Sequence, residues 1–412
     1  MRRLAKHRAV GLAAVAVLAA LLPPAIGPSA FAATGEPSPP ASGTPGVTLL
    51  PPLPVRLGAG QSCTAASEKK AVGASWAQAA LGLPKAHQLS RGTGVTVAVI
   101  DTGVGSAIPA LSGRVTAVGG ADKDCVGHGS FVAGLIAAAR TTGNDIVGIA
   151  PEVEILALRG TNDRGVPSVQ QLADGIRLAA DRGAKVIYVG QTLRTGQAAL
   201  TAAVVHAMKR DALVVAPAAP DAVPREELGP DGEMPLGPYW PAAVPGVLSV
   251  VDFGPSGARQ ENAPPAYLPD VAAPGSAMVS VGPRGSGHYI GSGASLAAAT
   301  TAGAAALIRA YYPRMSAEDV SRQLLRAAYP SDIPRLDPYG ALSVILPASG
   351  QTALPATPPP AQAPPAADPT PLGRSLAIAG AGLAVVLLVA AAGVLIPRGR
   401  ARNWLPPGRE GG

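Results

Sequence analysis

The chain has 412 residues, 14% of them charged and only 3% aromatic, with a formal net charge of +7. That charge does not mark a nucleic-acid surface. The first 32 residues carry four Lys/Arg and no acid, residues 397–412 carry four Arg against Glu410, and the stretch between is balanced. Rings for stacking on bases are also too few.

The chain opens as a secretion leader. Arg2, Arg3, Lys6 and Arg8 are followed by the apolar run Val10–Leu22, then Pro23-Pro24 and a small-residue cleavage site, Ala30-Phe31-Ala32. We expect a signal peptide over 1–32 and an N-terminal extension over 33–74. Residues 33–60 are rich in Pro, Gly and Ser, and are expected to run extended or wrapped over the body. A folded domain is expected over 75–346. Within it, Val95–Ile100, Ile155–Leu158, Val186–Val189, Leu213–Ala216 and Val247–Val251 read as continuous apolar strands. Phe131–Ala139, Ser168–Asp181, Gln197–Lys209, Ser295–Tyr312 and Ser316–Ala328 read as helices, the last with an N-cap serine and acids in its first turn. Strand–helix alternation with apolar strands predicts an α/β fold: a mostly parallel sheet covered on both faces. Reactive groups should gather beyond the carboxyl ends of its strands.

A Pro/Ala-rich spacer follows over 347–373, reading as semi-rigid and polyproline-like. Ser375–Ile396 is uncharged and would span about 33 Å as a helix, enough for a bilayer core of about 30 Å. We expect one transmembrane helix over 374–396 and a tail over 397–412. Arg398, Arg400 and Arg402 predict that this tail is cytoplasmic and the body extracytoplasmic. Two cysteines, Cys63 and Cys125, in a chain sent to an oxidising compartment predict a disulfide ahead of a metal site or two inert thiols.

Three distant segments carry the chemistry: VTVAVIDTGV with Asp101, DCVGHGSFVAGLIA with His128, and GSGASLAAA with Ser295. They supply an acid, a base and a nucleophile in the chain order Asp, His, Ser. Asp101 follows a strand. His128 lies between Gly127 and Gly129, expected to leave its ring uncrowded. Ser295 opens an Ala-rich helix, where unpaired N–H groups favour developing negative charge. Ser292 competes for the nucleophile's role, and the spacing in GASLA favours Ser295.

These motifs resemble those of the subtilisin-like serine proteases, most closely the mycosins, the membrane-anchored subtilases of type VII secretion systems. The resemblance spans about Ser75–Leu346 and includes Tyr239-Trp240-Pro241-Ala242 and Asp337–Leu342. It implies a subtilisin-like fold and an endopeptidase in which Ser295 attacks, His128 shuttles the proton and Asp101 orients the ring. It also sets a cysteine in the extension and one just ahead of the histidine motif, in keeping with a bridge between Cys63 and Cys125. It implies a polypeptide substrate and a membrane secretion complex as partner; calcium sites occur in many subtilases, but no Asp/Asn-rich loop here places one, and no cofactor or metal is expected.

Three departures stand out. The family places an oxyanion-stabilising Asn after the strand Val214–Ala216, and here that position falls at about Pro220, which has no donor. Ala294 and Ala299 replace the usual Thr and Pro. Val186–Gln191 (VIYVGQ) replaces an Asn-x-Ser pattern, leaving Gln191 as a candidate substitute donor. Loss of one oxyanion donor costs about 3–4 kcal/mol, which predicts a slow enzyme. The alternative is a degenerate subtilase kept as a structural subunit of a secretion complex.

Overall fold

The apolar runs become the buried strands of one sheet, and the amphipathic segments become the helices that cover it. The computed structural model describes residues 49–141, 145–223, 228–230, 232, 234, 236–344 and 370–402. The leader and most of the spacer lie outside these. In chain order the elements are α1 (Trp76–Ala80), α2 (Leu83–Leu89), β1 (Thr96–Asp101), β2 (Val115–Ala117), α3 (His128–Ala137), β3 (Glu154–Arg159), α4 (Val169–Asp181), β4 (Val186–Val189), α5 (Gln197–Lys209), β5 (Leu213–Pro217), β6 (Leu248–Phe253), β7 (Val271–Pro274), β8 (Met278–Val281), β9 (His288–Gly291), α6 (Ala294–Tyr311), α7 (Ala317–Ala327), α8 (Pro338–Ser343) and α9 (Thr370–Ala401).

Seven strands form one parallel sheet in the order β2-β3-β1-β4-β5-β6-β7, and β8 and β9 make a separate antiparallel pair. Alternate residues of β1, β3, β4 and β5 feed two cores. Val97 and Val99 of β1 join Phe131 of α3 and Leu296 of α6 on one face. Ala98 and Ile100 join Leu172 and Ile176 of α4 and Leu200 and Val204 of α5 on the other. Both faces are therefore dry, which is why the strands read as unbroken apolar runs rather than alternating ones. α6 is buried almost along its length, and its many alanines let its backbone lie close to the sheet and to α3.

The parts that the sequence pattern did not reveal are β2, β7, β8, β9, α1, α2 and α8. Each is short and takes its place from tertiary contacts rather than from its own periodicity. Residues 49–72 run as an extended strap along the body. Leu53 N–H donates to Ile290 O at 2.8 Å, and Ile290 N–H to Pro51 O at 3.0 Å. Arg164 Nη1 holds the carbonyls of Gly58 and Gln61, and Tyr289 hydroxyl donates to Ala65 O.

A buried cation locks α6 to the start of α7. Arg309 is 3% exposed, and its guanidinium donates to Asp211 Oδ2 at 2.6 Å, while Ala317 N–H donates to Asp211 Oδ1 at 2.7 Å. Partial burial works to raise the Asp211 carboxyl, but Arg309, the Ala317 N–H and Lys185 outweigh it and hold the group below the usual aspartate range. Asp211 has φ +57°, a backbone that Asn also tolerates. Asp211→Asn is expected to lower stability at neutral pH by about 1 kcal/mol in urea unfolding, because the carboxylate is nearly half exposed and solvent screens its pairing with the buried guanidinium. Because the folded value is depressed, that stabilisation is present above the ordinary aspartate range and is lost as pH falls through the folded value. The two proteins should converge in acid.

α9 contains a stretch, Ser375–Ala401, long and apolar enough to cross a membrane, with none of its most apolar window buried against the rest of the chain. Arg398 and Arg400 sit in its last turn.

Candidate active site

Asp101 is the last residue of β1, so its carboxylate stands at the carboxyl end of an inner strand of the sheet. It is fully buried and accepts the His128 Nδ1–H through both oxygens, at 2.9 and 3.0 Å. The Thr102 N–H donates to it at 2.7 Å. Tyr188 of β4 reaches the same carboxylate, its hydroxyl donating to Oδ2 at 3.3 Å. Burial, then the charges of Asp101 and Asp221, push the Tyr188 phenol well above its ordinary range, so it remains a donor.

His128 is the first residue of α3. Gly127 before it has φ +97°, a region that side chains resist. At Gly129 a methyl group would run into the Gly103 carbonyl and press Asp101 Cβ at 3.1 Å. The expectation that these glycines leave the imidazole uncrowded is corrected, since His128 is only 1% exposed. They instead let α3 lie against the turn after β1, which brings ring to carboxylate. Burial works to lower the His128 pKa. The charge and hydrogen bond of Asp101, with those of Asp221, outweigh it and hold the imidazolium well above the ordinary histidine range.

Ser295 is the second residue of α6, and its Oγ lies 3.0 Å from His128 Nε2. Ser292 faces away, its Oγ accepting from Ala277 N–H at 2.9 Å. The three residues that the sequence singled out, Asp101, His128 and Ser295, thus form one continuous chain of hydrogen bonds. His87, His206 and His288 lie elsewhere, bonded to Ile149 O, Asp181 and Ala71 N–H.

The oxyanion side of the site differs from the expectation. Counting along the chain set donorless Pro220 there. In the structure the loop after β5 presents the next residue, Asp221. Its Oδ1 accepts the Ser295 N–H at 2.9 Å, its Oδ2 is hydrogen-bonded to Ser295 Oγ, and Oδ2 lies 3.3 Å from His128 Nε2. A methyl group on Gly293 would collide with this carboxylate, so the glycine before α6 is what admits it. Gln191, two residues past β4, is buried and makes no hydrogen bond to Ser295 among the described residues. The signal for Asp221 was an acid one position beyond the expected Asn. A one-residue difference in loop path cannot be read from spacing.

Cys63 and Cys125 are joined, with Cα atoms 4.5 Å apart. Thr64 continues the tether, its N–H donating to Cys125 O at 2.8 Å and its hydroxyl to Val126 O at 2.6 Å. The strap is thereby fixed beside the loop that leads into His128. The bridge closes a loop with a sequence separation of 62. Replacing both cysteines with serine is expected to lower stability by up to about 4 kcal/mol in urea unfolding, by chain entropy alone. A loss under about 1 kcal/mol would mean that the hydrogen bonds of the strap already do the bridge's work.

Among the described residues no cluster of His, Cys, Asp or Glu is arranged to hold a metal ion. What the arrangement can do is move a proton from a serine hydroxyl to an imidazole beside a helix N-terminus.

Residues 92–359 match the model of the subtilase family, Peptidase S8. Mycosin-3 of Mycobacterium tuberculosis is 35% identical over 78% of this chain and 84% of its own length. The structure of the MycP3 protease from the type VII (ESX-3) secretion system superposes with a TM-score of 0.58 at 30% identity, over 71% of this chain and 97% of that one. A chain in the periplasmic assembly of the ESX-5 inner membrane complex gives 0.59 at 26% identity, over 78% of this chain and 94% of that one. The sheet order, the Asp–His–Ser order and these matches agree: the chain belongs to the subtilase family and to its mycosin branch.

Proposed function

We propose that this chain is a membrane-anchored serine endopeptidase working outside the cytoplasm, in which Ser295 is the nucleophile, His128 the general base and Asp101 the group that orients it. The observation that carries this reading is the relay Asp101–His128–Ser295, with hydrogen bonds of 2.9 and 3.0 Å through a buried ring. Ser295 Oγ attacks a peptide carbonyl carbon as its proton passes to His128 Nε2. The tetrahedral centre collapses, the C–N bond breaks, and the same proton goes to the leaving amine. Water then repeats the sequence on the acyl-enzyme. Asp101 fixes the Nδ1–H tautomer and stabilises the imidazolium. The Ser295 N–H supplies one backbone donor to the oxyanion.

The apolar stretch of α9 anchors the chain, and the arginines at its end set that end in the cytoplasm. A short tether restricts substrates to polypeptides that pass close to the membrane. The similarity to a chain of a secretion-system assembly supports a place in a membrane secretion complex of the same kind. We take the folded catalytic unit as 75–346, with 1–32 a leader, 33–74 an extension and 347–373 the spacer.

A second reading is favoured by one observation: a carboxylate holds both the N–H and the hydroxyl of Ser295. A subtilase so arrested could serve as a structural subunit. A fluorophosphonate probe on the purified full-length protein in detergent separates the two, with Ser295→Ala as control. Labelling of the wild type alone is the expected result. No labelling at any pH, with the protein folded, would favour the subunit.

A further inference from the structure

Asp221 sits where the oxyanion of a peptidase must form. Its side chain is 5% exposed. Both of its oxygens are engaged by Ser295, one with the backbone N–H and one with the hydroxyl. An ionised carboxylate only accepts hydrogen bonds, so in this state it takes the one backbone donor that the oxyanion needs. It also competes with His128 Nε2 for the single Ser295 hydroxyl proton. A protonated carboxyl in the same place has the shape of an amide and, like an amide, donates.

We propose that Asp221 is the side-chain donor of the oxyanion pocket, acting only while it carries a proton, and that its ionised form holds the site at rest. This rests on the hydrolase reading given above. The groups that face Asp221 and ionise are His128 of α3, with Asp101 of β1 behind it, and Tyr188 of β4, which stays protonated. The Nδ1–H of His128 stays with Asp101 throughout. That leaves one pair of sites, Nε2 and Asp221, to share protons.

With no proton on the pair, the imidazole can act as base, but the oxyanion would form against a like charge at hydrogen-bond distance. With two protons there is no base. With one proton there are two tautomers. If it lies on Nε2, an imidazolium is held between two carboxylates and the serine is idle. If it lies on Asp221, the imidazole is free to accept the Ser295 proton, and the carboxyl O–H is free to turn from Ser295 towards the carbonyl oxygen. Only that tautomer reacts. Ser295 Oγ bonds to the carbonyl carbon, its proton moves to Nε2, and the carbonyl oxygen takes the charge under the Ser295 N–H and the Asp221 O–H. On collapse the amine leaves with the proton from Nε2. Asp221 keeps its own proton and is ready for deacylation.

Activity should therefore follow the one-proton population, with a bell-shaped profile whose limbs belong to the pair rather than to either residue. Asp221→Asn makes the donor permanent. Its alkaline limb should vanish, leaving only the acid limb of His128. That limb should move to lower pH, because a carboxylate that favoured the imidazolium has gone. The test is the rate of fluorophosphonate labelling of Ser295 in the full-length protein from about pH 5 to about pH 9. At the alkaline end Asp221→Asn is expected to react about 10-fold faster than the wild type or more. Asp221→Ala should also lose the alkaline limb, but plateau about 100-fold below Asp221→Asn for want of a donor. A structural role for Asp221 would scale the rate without changing the shape of its pH dependence. A wild-type profile with no alkaline limb, or a limb that survives in Asp221→Asn, overturns the inference while leaving the hydrolase intact. Folded protein unlabelled in every variant at every pH overturns the hydrolase reading itself, and this one with it.

Discussion

Replacing His128 with alanine is expected to slow acylation of Ser295 by about 10⁴-fold or more at any pH where the wild type reacts. The size of the effect follows from what the imidazole does. A serine hydroxyl is a weak nucleophile until its proton has somewhere to go, and Nε2, 3.0 Å from Oγ, is the base aligned to receive it. The obvious substitute is Asp221, which also touches the hydroxyl. Yet to act as base it must be ionised when attack begins, which sets a like charge against the forming oxyanion, and once protonated it is no longer a base for the serine proton. Asp221 cannot serve as both base and oxyanion neighbour in one step. The double variant His128→Ala/Asp221→Asn should therefore be no slower than His128→Ala. If His128→Ala kept more than about a hundredth of the wild-type rate, the relay would not be the engine of the chemistry. Because the ring is buried, its removal leaves a cavity, so labelling should be compared at a temperature where circular dichroism shows both proteins folded.

The sheet was legible because burial on two faces leaves its own signature. Val97, Ala98, Val99 and Ile100 serve opposite cores, so these four successive positions of β1 are all apolar. The triad was legible because each member sits at an element boundary fixed by short-range geometry: the end of β1, the first turn of α3, the first turn of α6. The small residues around these turns are there for close approach. Asp221 and Tyr188 were not legible for the opposite reason. Tyr188 reads as one more apolar strand residue in VIYV, and only the pairing of β4 beside β1 puts its hydroxyl on Asp101. Asp221 belongs to a loop whose path depends on β5, β6 and α6 together, and an offset of one residue exchanges a donorless proline for a carboxylate. Asp124 reads as no more than part of the histidine motif, because its bonds to Gly127, Ser130 and Thr102 appear only in the folded chain.

Asp124→Ala is expected to lower stability by about 4 kcal/mol. The N-cap residue of α3 is Gly127, which has no side chain to cap it. Asp124 does the capping from three residues upstream. Its Oδ1 accepts the Gly127 N–H at 2.7 Å and the Thr102 hydroxyl at 2.8 Å, and its Oδ2 accepts the Ser130 N–H at 2.9 Å and the Ser130 hydroxyl at 2.7 Å. Thr102 Oγ1, held by that bond, accepts the Gly129 N–H at 2.9 Å. One buried carboxylate thus serves the first turn of α3 directly and through Thr102, and its charge lies at the positive end of the helix. Burial works to raise its carboxyl above the usual aspartate range, against the N–H and hydroxyl donors that favour the ionised form. Alanine would strand two backbone N–H groups and two hydroxyls with little room for water. Asp124→Asn keeps the size but sets an amide NH₂ against donors, and should cost about half as much. Because His128 is the first residue of this helix, a loosened first turn also moves the ring. The labelling rate of folded Asp124→Ala should fall by about 10-fold or more beyond the loss of stability, since misplacement of a reacting group by a fraction of an ångström is felt in the barrier. Urea unfolding reads the first effect, and labelling well below the unfolding midpoint reads the second. A stability loss within about 1 kcal/mol would show that Ser130 and Thr102 find other partners, and that the first turn of α3 is held by the disulfide and strap instead.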